Sequence, residues 1–195
     1  MKNLPTLFLD RDGVLNVRTP DDYVKTPDEW IPVPGLETSM QQLSGAFGHI
    51  IVVTNQAGIG RGFMTEADLE AVHQKMLDLI HAAGGRIDAI YHCPHRRDEG
   101  CNCRKPATGM ALRAKVAFPD IDFTQSWMVG DSIYAMELGL RLGMTTVLIH
   151  GKVEEAELLK DMAVDYRFDS LAEFATRMQH GLHRLNTDCT DYSSR

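Results

Sequence analysis

Residues Asp10-Arg11-Asp12-Gly13 set two carboxylates two positions apart, directly after the apolar run Leu7-Phe8-Leu9. Alternate side chains of a strand share a face, so Asp10 and Asp12 are expected to enter one site while Arg11 points away. Gly13 then permits a sharp turn just past the strand, where open α/β sheets hold their ligands. The pattern marks a catalytic position. Asp and Gly are also common turn residues, so this tetrapeptide alone does not separate a site from a strand that stops in solvent.

Further polar groups follow other apolar runs. Thr54-Asn55 succeeds Ile50-Ile51-Val52-Val53, and Gln56-Ala57-Gly58-Ile59-Gly60-Arg61-Gly62 reads as a glycine-rich turn able to bring backbone N–H groups to an anion. Arg104-Lys105-Pro106 precedes a helical pattern, and Val129-Gly130-Asp131 closes a strand and opens a helix. Each has an ordinary reading, since a lysine near a helix start is usually solvated and such an aspartate is usually an N-cap. Three of the four cysteines crowd together, while Cys189 lies alone in a polar stretch. Cys93-Pro94-His95 and Cys101-Asn102-Cys103 supply three thiols and an imidazole, a complete tetrahedral set for structural Zn²⁺. Each pair is spaced i, i+2, so both members can face one ion from an extended segment. His92 lies out of phase and is read as a bystander or core residue.

The elements that must position these groups are legible in the hydrophobic pattern. Nearly continuous apolar runs at 6–10, 49–54, 87–93, 126–130 and 144–149, with a weaker one at 164–168, suggest strands buried on both faces. Helical periodicity fills the gaps at 35–46, 65–83, 109–118, 133–142, 154–162 and 170–180. The stripe Leu69, Val72, Met76, Leu77, Ile80 and Ala83 is the clearest, with Thr65 and Asp68 resembling a capping box. Alternating strands and helices predict a doubly wound, mostly parallel α/β sheet. Residues 1–180 are expected to form one domain without a large cap, and the polar tail 181–195 is expected to fray. Residues 16–35, carrying Pro20, Pro27, Pro32 and Pro34, read as an irregular flap beside the Asp10 site.

Composition limits the function. The 195 residues are 44% hydrophobic and 24% charged with a net charge of −7, globular values that argue against a general nucleic-acid binder. An anionic substrate must therefore meet a local positive patch. The start, Met1-Lys2-Asn3-Leu4-Pro5, shows no signal-peptide pattern and no run approaches a membrane span, so a soluble, cytoplasmic protein is expected; a monomer is the expected assembly, with an oligomer left open.

Asp10/Asp12, Thr54, Lys105 and Asp131, in this order and each near a strand end or helix start, resemble the four motifs of the haloacid dehalogenase (HAD) superfamily of phosphotransferases. The resemblance implies that Asp10 attacks phosphorus to give an aspartyl-phosphate, while Asp12 protonates the leaving oxygen and later activates water. On that view Asp12 must carry a proton at one stage, and partial burial with a second carboxylate nearby is expected to raise its pKa. Mg²⁺ would be bound by Asp10, the Asp12 carbonyl and Asp131, and Thr54 and Lys105 would hold the phosphoryl oxygens. The last motif departs from the pattern, because Ala135 stands where a second acid is common. The cysteine knuckle narrows the resemblance to the heptose-bisphosphate and histidinol-phosphate phosphatases. Thr54–Gly62 and Lys105–Met110 look more like the heptose group, which implies a sugar-phosphate substrate, with Asn55, Arg61 and Arg104 as substrate-binding residues. A phosphoacceptor-aspartate signalling module and a zinc-knuckle nucleic-acid binder are the alternatives from other classes.

Overall fold

The computed structural model describes residues 4–19, 22–149 and 155–179. Strands β1 (Thr6–Leu9), β2 (His49–Asn55), β3 (Ala89–Cys93), β4 (Trp127–Gly130), β5 (Thr145–Ile149) and β6 (Tyr166–Phe168) form one sheet in the order β3-β2-β1-β4-β5-β6. All the pairings are parallel. The order reverses between β1 and β4, and such a switch point opens a crevice at the carboxyl ends of the strands. Asp10 and Asp131 lie on either side of it.

The central strands are mostly apolar because each sheet face meets its own helical layer. Leu7, Leu9, Ile50, Val52, Trp127, Val129, Val147 and Ile149 pack in one cluster with residues of α1 (Leu36–Ala46), α3 (Glu66–Ala82) and α7 (Leu171–Gln179). The alternate residues Phe8, Ile51, Val53, Met128 and Leu148 pack with α4 (Gly109–Ala117), α5 (Ile133–Leu142) and α6 (Ala156–Lys160). Burying each such side chain contributes about 1.5–3 kcal/mol, so a register slip in a central strand would affect both layers.

Local signals behave largely as expected. Thr65 and Asp68 form the capping box at the start of α3: Thr65 N–H donates to Asp68 Oδ2 at 2.8 Å and Asp68 N–H to Thr65 Oγ1 at 3.2 Å. The shorter acid therefore reaches. The glycine-rich segment differs, because residues Ala57–Gly60 wind into the single helical turn α2 in place of an open turn. Its Gly60 lies so close to the Cys93–Cys103 loop that an added Cβ would stand 2.7 Å from Pro94 O. The expected helix at 154–162 is represented by α6, while its first residue, the end of the 170–180 helix and the tail with Cys189 fall outside the described residues.

The described part of the proline-rich segment is pinned. Val24 and Trp30 are buried in the same cluster as the strands, Val17 N–H donates to Ile31 O at 2.8 Å, and Val33 N–H donates to Leu15 O at 3.1 Å. Among the described residues no insertion is large enough to form a cap domain over the strand ends.

Gly13 has φ +84°, and a Cβ there would sit 2.0 Å from Asp131 Oδ2. Gly13→Ala should lower stability by at least about 1–2 kcal/mol from backbone strain alone and push Asp131 aside. Denaturant unfolding checks this; an unchanged midpoint would show that the turn does not need glycine.

Candidate active site

Four chain segments converge on the crevice. Asp10 follows β1, Thr54 lies near the end of β2, Lys105 is in the loop after β3, and Asp131 follows β4; all four are buried. Lys105 Nζ lies 2.6 Å from Asp10 Oδ2 and donates to Val53 O at 2.9 Å. The other carboxylate oxygen of Asp10 accepts from the Arg11 N–H at 2.8 Å, and Asp10 N–H donates to Val129 O at 2.9 Å. Asn55 is placed on Lys105: Lys105 N–H donates to Asn55 Oδ1 at 2.9 Å, and Asn55 Nδ2 donates to Lys105 O at 3.2 Å. It thus ties the end of β2 to the loop that carries the lysine.

Arg11 does not point away into solvent. Its side chain is fully buried and curls back onto Asp12, with Nη2 donating to Oδ1 at 2.8 Å and to Oδ2 at 3.0 Å. Strand alternation fixes where Cβ points, but an arginine is long enough to return to its neighbour. Asn16 Nδ2 and Gln56 Nε2 add hydrogen bonds to Asp12 at 3.0 and 2.9 Å, and Gln56 Nε2 also donates to Thr54 Oγ1 at 2.8 Å. The expectation of a raised Asp12 pKa is therefore corrected. Burial pushes it up, but the Arg11 charge and the donors from Arg11, Asn16 and Gln56 outweigh that effect and hold the carboxyl below its ordinary value. In the free protein Asp12 is a carboxylate at neutral pH.

Asp131 is met by Arg18, a residue not singled out by the sequence motifs. Arg18 Nη2 donates to Asp131 Oδ2 at 2.6 Å and Oδ1 at 2.7 Å, Nε donates to Oδ2 at 2.9 Å, and Nη2 also reaches the Asp12 carbonyl at 3.1 Å. Burial works against the charge of Arg18, but Asp131, helped by Asp10 and Asp12, holds its pKa above the ordinary value. The guanidinium is a stand-in for a cation: carboxylate and carbonyl oxygens converge on positive charge here, and oxygen donors of this kind suit Mg²⁺. Ala135 is fully buried in the apolar layer beside Gly130 and adds no ligand.

The cysteine loop collects the expected donors. The ligand atoms of Cys93, His95, Cys101 and Cys103 all lie within 4.8 Å of one another. Three sulfur–sulfur separations are 3.2–3.5 Å, and His95 Nδ1 stands 3.2 Å from Cys103 Sγ and 3.6 Å from Cys93 Sγ. A tetrahedral site with metal–sulfur bonds of about 2.3 Å has edges of about 3.8 Å, so the cluster fits Zn²⁺ with little adjustment. His92 stands outside it, with Nε2 2.8 Å from Glu66 Oε2.

Between this loop and α2 lies a cavity of about 720 Å³ whose lining includes Tyr23, Arg61, Arg96, Arg97, Asp98 and Arg104, with Asp98 paired to Arg96 at 2.5 Å. Arg61 and Arg104 thus share a cavity, joined by two arginines that were not anticipated because their loop has no periodicity. Arg61 lies over the Phe63 ring and donates to Tyr23 Oη at 3.3 Å, Arg97 lies over the Tyr134 ring, and Arg104 Nη1 donates to His95 O at 3.3 Å.

Known proteins share this arrangement of sequence and fold. The profile of the HAD-hydrolase-like family matches residues 102–174. A D-glycero-beta-D-manno-heptose-1,7-bisphosphate 7-phosphatase of Pseudomonas putida is 42% identical over 173 residues, which span 88% of this chain and 98% of the relative. The chain belongs to the heptose-bisphosphate phosphatase family of HAD-like hydrolases. Its relatives within that family include a D-glycero-alpha-D-manno-heptose-1,7-bisphosphate 7-phosphatase of Mycobacterium tuberculosis, 34% identical over 174 residues covering 89% of this chain and 91% of the relative. A crystal structure of the D,D-heptose 1,7-bisphosphate phosphatase from B. bronchiseptica, complexed with magnesium and phosphate, superposes with a TM-score of 0.83 at 34% identity, covering 91% of this chain and 99% of that one. As a heptose-bisphosphate phosphatase family member, the protein is a phosphoric monoester hydrolase.

His73, on α3, is buried and lies 3.4 Å from Arg11 Nη1. Burial, then the charges of Arg11 and His92, lower its pKa from 6.5 to about 3, so its neutral Nε2 accepts from Arg11. Between these values the unfolded chain binds the extra proton, so this group's contribution is present above about pH 6.5 and is lost as pH falls towards 3. His73→Gln should therefore lose less stability than wild type between about pH 7.5 and about pH 5 in denaturant unfolding. Equal losses would contradict a neutral His73.

Proposed function

We propose that the protein removes the 7-phosphate of D-glycero-D-manno-heptose 1,7-bisphosphate through an aspartyl-phosphate on Asp10, with Mg²⁺ in the crevice and Zn²⁺ in the cysteine loop. The observation that carries this reading is the buried Asp10 carboxylate, held by Lys105 at 2.6 Å between the carboxyl ends of β1 and β4. A nucleophile needs a fixed direction, and the Lys105 ammonium and the Arg11 amide each fix one of its oxygens.

In the forward step an Asp10 oxygen forms the bond to phosphorus while the bond from phosphorus to the sugar oxygen breaks. Lys105 Nζ and Thr54 Oγ1 stand where they can hold the phosphoryl oxygens and offset their charge. When bound, Mg²⁺ held by the Asp10 and Asp131 carboxylates and the Asp12 carbonyl supplies further positive charge to those oxygens. Asp12 starts as a carboxylate. The approach of a phosphate dianion raises its proton affinity, so that it takes a proton from solvent as substrate binds and gives that proton to the leaving oxygen; as a carboxylate again it takes a proton from the water that cleaves the intermediate.

The cavity of Arg61, Arg97 and Arg104, where Asp98 already pairs with Arg96, supports a substrate with a second phosphate. Histidinol phosphate, the alternative, carries an amine and an imidazole at its other end, which gain little from an arginine-rich lining. Family membership favours an enzyme over the signalling module, and the net charge of −7 disfavours the nucleic-acid binder. Among the described residues no helix is long and apolar enough to cross a membrane.

The experiment that tests this reading compares kcat/KM for both anomers of the heptose bisphosphate with histidinol phosphate, in the presence of Mg²⁺. The heptose bisphosphate is expected to be preferred, and Asp10→Asn is expected to reduce kcat more than about tenfold, a barrier increase above about 1.4 kcal/mol. Equal or better turnover of histidinol phosphate would overturn the substrate; retained kcat in Asp10→Asn would overturn the nucleophile.

Metal analysis of the purified protein should find about one Zn²⁺ per chain, as a closed set of four ligands requires. Cys101→Ser/Cys103→Ser should lose the metal and most activity, because Lys105 follows the loop directly. Full activity without zinc would contradict this coupling.

A further inference from the structure

The cations that face the three crevice carboxylates are not held alike. The Lys105 side chain on Asp10 is 2% exposed and that of Arg11 on Asp12 is 0% exposed, whereas that of Arg18 on Asp131 is 32% exposed. Lys105 and Arg11 are also anchored elsewhere, to Val53 O and against His73. Arg18 donates to Asp131 and to the Asp12 carbonyl. It is the cation that can leave without opening the core.

Those acceptors are also the oxygens that the proposed function gives to Mg²⁺. A magnesium ion binds oxygen at about 2.0–2.1 Å and needs near-octahedral surroundings. A guanidinium whose Nη2 stands 2.6–2.7 Å from both Asp131 oxygens occupies that side of the carboxylate and repels a second cation. We propose that Arg18 is a displaceable counter-cation of the metal site, which neutralises Asp131 in the metal-free protein and competes with Mg²⁺ for the same oxygens. The proposal rests on the magnesium reading of the crevice.

Competition has two separate consequences. Arg18 lowers the apparent affinity for Mg²⁺, because its contacts with Asp131 and Asp12 must break before the ion enters. It also stabilises the metal-free fold, because without it Asp131 would face its acidic neighbours with less compensation. A surface arginine would do neither.

Calorimetric titration of the full chain with MgCl₂, without substrate, reads the first consequence; Mg²⁺-induced change in melting temperature reads the second. Arg18→Gln, which keeps polarity and loses charge, should bind Mg²⁺ about tenfold more tightly, in line with the strength of hydrogen bonds to charged groups. Its melting temperature should be lower than wild type without Mg²⁺ and should rise more when Mg²⁺ is added. Arg18→Lys should fall between the two proteins in affinity. Unchanged or weaker binding in Arg18→Gln, with wild type binding Mg²⁺ and Asp131→Asn failing to, would overturn the proposal and leave the magnesium reading intact. If wild type binds no Mg²⁺, or Asp131→Asn binds it equally well, both fall.

Discussion

Three carboxylates crowded at one end of a parallel sheet repel one another. Burial strengthens that repulsion, because solvent no longer screens it. The structure meets this constraint by bringing a cation to each acid: Lys105 to Asp10, Arg11 to Asp12 and Arg18 to Asp131. The three arrive by different routes, from the loop after β3, from the turn itself and from the segment beyond β1. Much of the surrounding architecture can be understood as what holds these cations in place.

Lys105 illustrates the dependence. It sits in an irregular loop, and its position is fixed from two sides: the Asn55 amide clamps its backbone to the end of β2, and the cysteine cluster shapes the residues before it. The loop in turn rests on α4, where Gly109 N–H donates to Asn102 O at 2.9 Å. Gly60 of α2 approaches it from the other side, with its N–H donating to Pro94 O at 3.0 Å. The same packing lines up the arginines of the neighbouring cavity. Charge compensation at Asp10 and the arginine-rich cavity thus share one support.

Much of this was legible in the sequence because it is local. Asp10 and Asp131 end continuous apolar runs, the clustered thiols and imidazole fall in two i, i+2 pairs, and the central strands are mostly apolar on both faces for the reason the parallel sheet supplies. What could not be read is carried by long side chains or distant segments. Alternation along β1 predicts the direction of the Arg11 Cβ, not the return of its guanidinium to Asp12. Arg18, Asn16 and Gln56 reach the site through the proline-rich segment and α2, and His73 reaches it from the buried stripe of α3, where a histidine among apolar positions was the available hint. The Asp12 ionisation was misread for the same reason: its cause lies in partners that no spacing rule brings together.

The account rests on Asp10 as the atom that takes the phosphoryl group. Rapid quench of Asp12→Asn protein during turnover of the heptose bisphosphate with Mg²⁺, followed by peptide mass spectrometry, tests it directly. A hydroxylamine-labile phosphoryl group on Asp10 is the expected result. Phosphate release with no phosphoenzyme formed, or a phosphoryl group on another residue, would contradict it.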